Sequence, residues 1–189
     1  QIIDVLLYEE DIDKDKLYEA LDYLSYSMQD ISSTLRVKIL NILLGSEKYH
    51  ENAKVYFLEY IQDKKISSEF KYTSVISSVN KDYIPFFLCE FLLFDDNDIY
   101  YRILAGQYLI CDGGNYLEIS QKKLLEFARN VSLPLNRRAD ATDILLNKNV
   151  DENIRKEAMV ILDSLGSYEK QVKNIYENTQ NVHTDGIEK

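Results

Sequence analysis

The chain has 189 residues, 46% of them hydrophobic, with 6 glycines, 2 prolines and a formal net charge of −10. That length can bury one continuous core, and so little glycine and proline excludes a chain of many tight β-turns. The acidic balance disfavours nucleic acid and other polyanions as partners. The charge is uneven: residues 1–30 carry −7, 31–81 carry +3, 82–118 carry −6 and 119–189 are balanced, so only 31–81 offers a local basic patch.

The elements follow in chain order. Gln1 opens the chain, and Ile2, Ile3, Leu6 and Leu7 read as the end of an earlier helix, as if the chain were part of something longer. Asp13 or Asp15 caps a helix to about Met28, with Leu17, Leu21 and Leu24 apolar. Ser32 or Ser33 caps the next, whose Leu35, Ile39, Ile42 and Leu43 share a face up to Gly45. A third runs from about Glu47 to Gln62. Ser67 opens a weaker one through Phe70, Ile76 and Val79. Asp82 opens DYIPFFLCEFLLF with Pro85 in its first turn, where the missing N–H costs nothing. Asn97 or Asp98 starts a helix to about Cys111, broken by Gly113-Gly114. Ser120 starts SQKKLLEFARNV, which Pro134 stops; helices over about 135–147, 151–165 and 168–178 follow. Residues 1–178 read as a single all-α domain and 179–189 as an irregular tail or linker. Loops this short make neighbouring helices antiparallel.

One register recurs. Arg155, Ala158 and Leu162 are spaced like Arg138, Ala141 and Leu145 and like Arg102, Ala105 and Leu109. Arg36, Ile39 and Leu43 are a looser copy, and Lys71, Ser74 and Ser78 a degenerate one. From Arg36 onward the steps are 35, 31, 36 and 17 residues, that is, one helix pair three times and then one helix. The small residue lets an adjacent helix approach, and the leucine is buried beside it. Asp151 and its equivalents cap the helix and meet the arginine at i+4. The arginine can also bond a carbonyl or carboxylate of a neighbouring turn.

The run LCEFLLFDDNDIYYRILAGQYLI resembles a HEAT repeat: an apolar helix, a short acidic turn, then apolar-Arg-x-x-Ala-x-x-x-Leu. The resemblance covers about 31–165, poorest at 67–80, and rests on Arg36, Arg102, Ala105, Arg138, Ala141, Asp151, Arg155 and Ala158. It implies a right-handed α-solenoid of stacked antiparallel helix pairs, HEAT- or armadillo-like; the alternative is a non-repetitive helical bundle. The tail QNVHT (180–184) is similar to helical-repeat proteins of giant DNA viruses, in keeping with the many Ile, Asn, Lys and Tyr that an A/T-rich genome encodes.

Little in the chain points to chemistry. DDNDIYY (95–101) starts like a calcium loop but lacks its glycine and its final glutamate, so it reads as a capped inter-helix turn. CDGGNY has neither GxGxxG nor GK[ST]. Two cysteines without CxxC and two histidines, His50 and His183, are too few for a zinc site, and no cofactor is expected. Cys89 and Cys111 lie in apolar helical runs and read as two buried thiols of a reducing, intracellular and cytoplasmic location (host cytoplasm or virion if viral). Asn130-Val131-Ser132 is a glycosylation sequon, inert in such a compartment. Neither a signal-type segment nor a run of ~20 apolar residues appears, so no membrane partner is expected. Fifteen tyrosines are too many for the core alone, and tyrosine favours protein interfaces. The expectation is a non-enzymatic protein–protein interaction scaffold whose partner is basic. The alternatives are a structural subunit of a larger assembly, such as a virion, and a nucleic-acid-associated HEAT-like scaffold using 31–81 and Arg137-Arg138.

Overall fold

The computed structural model describes residues 13–27 and 33–167. The expected earlier helix in 1–10, the helix over 168–178, the tail with His183 and the QNVHT run lie outside the described residues. Among the described residues every regular element is helical and there is no strand.

The helices are α1 (Lys14–Ser27), α2 (Ser33–Leu44), α3 (His50–Gln62), α4 (Ser68–Ser78), α5 (Ile84–Leu93), α6 (Ile99–Asp112), α7 (Leu117–Arg129), α8 (Leu135–Ile144) and α9 (152–167), with a 3-10 turn, Lys81–Tyr83, before α5. Short polar side chains start several of them. Asp13 accepts from the N–H of Asp15 and Lys16, Ser67 from Phe70, Asp98 from Tyr100, and Asp151 from Asn153 and Ile154. Pro85 falls in the first turn of α5. Gly113 ends α6 at φ 69°, a left-handed conformation that glycine adopts without strain.

Four expectations are corrected. Ser120 does not start a helix; it lies inside α7 and donates its hydroxyl back to the Tyr116 carbonyl, one turn earlier. Phe70 does not anchor the buried face of α4; it is exposed, and Lys71, Ser74 and Val75 are buried instead. The helix expected over about 151–165 runs through Gly166 to 167. Leu162 is only half-buried, and Leu165 takes the buried position one turn on.

The chain separates into two compact units, Gln1–Ala105 and Gly106–Lys189, and α6 runs across the boundary. In the first, α1 packs on α2 and α3, α2 on α3 and α4, and both α3 and α4 on α5. Its core holds Leu40, Leu43, Ala53, Phe57, Tyr60, Val75, Phe87 and Phe91, with the Phe57 and Phe87 rings 4.4 Å apart. Each of its leucine, valine and phenylalanine side chains contributes about 1.5–3 kcal/mol on burial. In the second unit α7 packs on α8, and Leu109, Leu124, Phe127, Ala141, Leu145, Ala158 and Leu165 are buried. This all-helical arrangement is compatible with a helical solenoid or with a helical bundle.

Candidate functional site

The recurring arginine register has a definite structural meaning. Arg36, Lys71, Arg102, Arg138 and Arg155 are each the fourth residue of their helix, α2, α4, α6, α8 and α9. At that position the side chain can turn back towards the end of the preceding helix, where the last carbonyls have no intrahelical partner.

Arg102 does this fully. Its Nε donates to the Leu92 carbonyl at 2.8 Å, its terminal nitrogens reach the Asp95 carbonyl and carboxylate at 3.5 and 2.7 Å, and it is buried. Arg138 repeats the central bond: its Nε donates to the Ala128 carbonyl at 3.1 Å. Both acceptors lie ten residues back, and each is the penultimate residue of its helix. Lys71 is buried too, but its Nζ donates to Asn97 Oδ1 at 3.1 Å and lies over the Phe94 ring. Burial pushes its ammonium below the usual lysine range, against the upward pull of Asp63 and Asp96. Arg36 is half-buried; a terminal nitrogen lies 3.8 Å from Glu59, its guanidinium stands 6.0 Å from the Tyr60 ring centre, and its Nε is buried without an acceptor. Arg155 is half-buried at the start of α9, and Asp151 four residues before it is the cap of that helix. Ala105, Ala141 and Ala158 are fully buried.

The acidic turn before α6 joins this network. Asn97, buried, takes Lys71 and donates to the Phe91 carbonyl at 3.1 Å. The Asp98 N–H donates to Ser68 Oγ at 2.8 Å, and Asp96 pairs with Lys64 at 2.8 Å. The run 95–101 therefore spends its side chains on Arg102, Lys64, Lys71 and the first turn of α6, and the Asn97 side chain and Asp98 N–H tie the turn to α4. Sequence reasoning missed Lys71 and Asn97 as partners; the clue was Lys71's place in the arginine register. In the second unit Asn149 donates to the Ile110 carbonyl at 3.0 Å, and Gln121 donates to the Asn149 carbonyl at 3.3 Å.

A shallow groove between α1 and α3 is lined by Glu19, Asp22, Tyr23 and Tyr56, with Tyr23 70% exposed. Tyrosines also serve the core: Tyr60 is buried, its hydroxyl 3.1 Å from Ser74 Oγ, and burial raises its pKa. His50 is half-buried at the start of α3, with Nδ1 2.9 Å from the Glu47 carbonyl and Nε2 2.9 Å from Glu51. Cys89 is buried as expected, and burial pushes its thiol up to about 11; Cys111, on the last turn of α6, is exposed, contrary to expectation. The apolar run around Cys111 belongs to a helix with an outer face, so an apolar neighbourhood in sequence does not bury every member. Among the described residues no group of three or more His, Cys, Asp or Glu could hold a metal ion, and no helix is long and apolar enough to cross a membrane.

No protein-family profile matches the chain, and no solved structure does. The chain is similar to Uncharacterized protein 467R of Invertebrate iridescent virus 6, at 31% identity over 198 aligned residues. The alignment takes in 91% of this chain and 39% of that viral protein, so the chain corresponds to well under half of its relative's length.

Proposed function

We propose that the chain is a non-enzymatic protein-binding module built as HEAT-like helical repeats, part of a viral protein acting inside the host cell or the virion. The observation that carries this reading is the repeated bond from the fourth residue of α6 and of α8 to the penultimate carbonyl of the helix before, 36 residues apart. Such a bond fixes each turn between paired helices in the same way, which is what a chain of stacked units needs. In the first unit the packing of α1 on α3 and of α3 on α5 supports the same reading, because equivalent helices of successive pairs then lie side by side. The α1–α3 groove carries the exposed Glu19 and Tyr23 beside the half-buried Asp22 and Tyr56, a surface suited to a basic protein partner.

The test is a binding measurement with a purified partner captured from the virus-infected source, at about 50 and about 500 mM salt, since an acidic face speeds encounter with a basic partner and loses that help as salt screens it. A salt-dependent association with a basic protein supports the reading. Tighter binding of short RNA than of any protein moves the site to the basic stretch 31–81, and large self-assemblies in light scattering with no second component make the chain a structural subunit.

A further inference from the structure

The fourth residues of the even-numbered helices are Arg36, Lys71, Arg102 and Arg138, and the residues ten places earlier are Tyr26, Ile61, Leu92 and Ala128. Each of these four is the penultimate residue of the preceding helix, α1, α3, α5 or α7. Two of the four positions are joined by an Nε-to-carbonyl bond, Arg102 to Leu92 and Arg138 to Ala128. Lys71 has no Nε donor and goes elsewhere, to Asn97. Arg36 has the donor, on a helix that packs against α1, and among the described residues its Nε is the buried side-chain polar atom that finds no acceptor. A buried N–H with no partner is costly, and a carbonyl in the last turn of a helix has no partner within that helix. The unmet donor and the position of the matching acceptor thus coincide with a pair that is bonded twice elsewhere in the chain.

We propose that Arg36 is a fastening for α1: its Nε closes onto the backbone carbonyl of Tyr26, making α1–α2 a third helix pair of the same build, and opening that bond releases α1 from α2. The proposal rests on the helical-repeat reading above but needs no partner to be tested. Closure leaves the terminal nitrogens of Arg36 near Glu59, as Arg102 keeps Asp95 while its Nε holds Leu92. Arg36 is not among the residues lining the α1–α3 groove, Glu19, Asp22, Tyr23 and Tyr56.

The experiment is heteronuclear NMR on the whole chain labelled with nitrogen-15 and carbon-13, reading scalar couplings across hydrogen bonds from arginine Nε to carbonyl carbons. Couplings from Arg102 to Leu92 and from Arg138 to Ala128 are the internal standards. A third coupling, from Arg36 to Tyr26, is expected. In an Arg36→Lys variant amide exchange in α1 should quicken about tenfold or more, while α7 and α8 keep their rates. The two standard couplings without the third overturn the proposal, as does an Arg36→Lys protein whose α1 exchanges at the unsubstituted rate. If the variant does not fold, the coupling in the unsubstituted chain decides alone. A missing third coupling alongside salt-dependent partner binding would sink this inference and leave the proposed function standing, whereas a present coupling without any protein partner would do the reverse.

Discussion

The turn between α5 and α6 and the turn between α7 and α8 are the same length and are closed by the same arginine, yet their chemistry differs. In the first, Asp95, Asp96, Asn97 and Asp98 bind Arg102, Lys64, Lys71 and the first turn of α6. In the second, the places 36 residues on hold Val131, Ser132, Leu133 and Pro134. Val131 is 82% exposed where Asp95 would be, and Pro134 precedes α8 with no side-chain cap. What survives the change is the bond from guanidinium to backbone carbonyl. A backbone acceptor is present whatever the sequence of the preceding helix, so this bond needs only the arginine and the spacing. The first turn is tied to α4 as well, by the Asn97 amide oxygen accepting from Lys71 and the Asp98 backbone N–H donating to Ser68.

The largest effect expected from this comparison is on removing the arginines. Arg102→Ala strands a carbonyl and removes a buried stem, and should cost about 2–3 kcal/mol. Arg138 is less buried and has one such bond, so Arg138→Ala should cost about 1–2 kcal/mol. Urea unfolding read by amide exchange in each unit separately gives the two numbers, because two units need not unfold together. Equal losses would mean that the ion pair and the deeper burial of Arg102 add nothing.

Next comes the helix approach one turn after each arginine. A Cβ on Gly106 would lie 3.0 Å from Leu124 on α7, whereas the equivalent residue of α8 is Thr142, buried and donating its hydroxyl to the Arg138 carbonyl at 2.6 Å. Gly106→Val should therefore overpack the contact with α7 and cost about 1–3 kcal/mol. Adding Leu124→Ala should recover part of the loss. A Gly106→Val protein as stable as the parent would show that α6 and α7 can separate without penalty.

The parts of this arrangement that were legible in the sequence are those set by local chemistry. Asp13, Ser67, Asp98 and Asp151 advertise helix starts because a short polar side chain meets the free N–H groups there. The buried alanines 105, 141 and 158 follow from the register alone. What failed depended on contacts far away in sequence or on which face of a helix a residue falls. Ser120 has the composition of a cap, but the helix already starts at Leu117, and the Ser120 hydroxyl bonds backwards. Lys71 is buried only because Asn97, 26 residues on, accepts from it and the Phe94 ring covers it, while Phe70 beside it is turned outward. Arg102 and Arg138 looked alike in sequence, and the carbonyls they reach could not be named from it, since an acceptor on the backbone leaves no mark on residue identity.

Lys71 allows a smaller effect to be read as a slope. An arginine in this register keeps its charge at any attainable pH, but Lys71 can lose its own, and burial has lowered its folded pKa below 10.5. Between that lowered value and 10.5 the unfolded chain binds more protons than the folded one, so this group makes stability rise with pH across the interval and leaves it level below. Tyr60, raised by burial, pulls the other way at alkaline pH and is common to both proteins compared. Stability measured across alkaline pH up to 10.5 should therefore climb more in the parent than in Lys71→Met. Parallel curves would mean that Lys71 is solvated in solution despite its burial.

The smallest effect separates the two turns most cleanly, because it exchanges what differs and keeps what is shared. Asp95 is 84% exposed at its side chain, so its pairing with Arg102 at 2.7 Å is screened by water and salt. Asp95→Asn should cost less than about 1 kcal/mol, a fraction of the Arg102→Ala loss, and less again at high salt. The reciprocal change, Val131→Asp, puts a carboxylate at the place that Asp95 holds in the first turn and removes an exposed apolar side chain; it should gain at most about 0.5 kcal/mol. If Asp95→Asn instead matched Arg102→Ala, the carboxylate would be what holds the guanidinium onto Leu92. The bond of Arg138 to Ala128, made where no acid stands at that place in the turn, would then belong to a different kind of junction rather than to a second copy of the first.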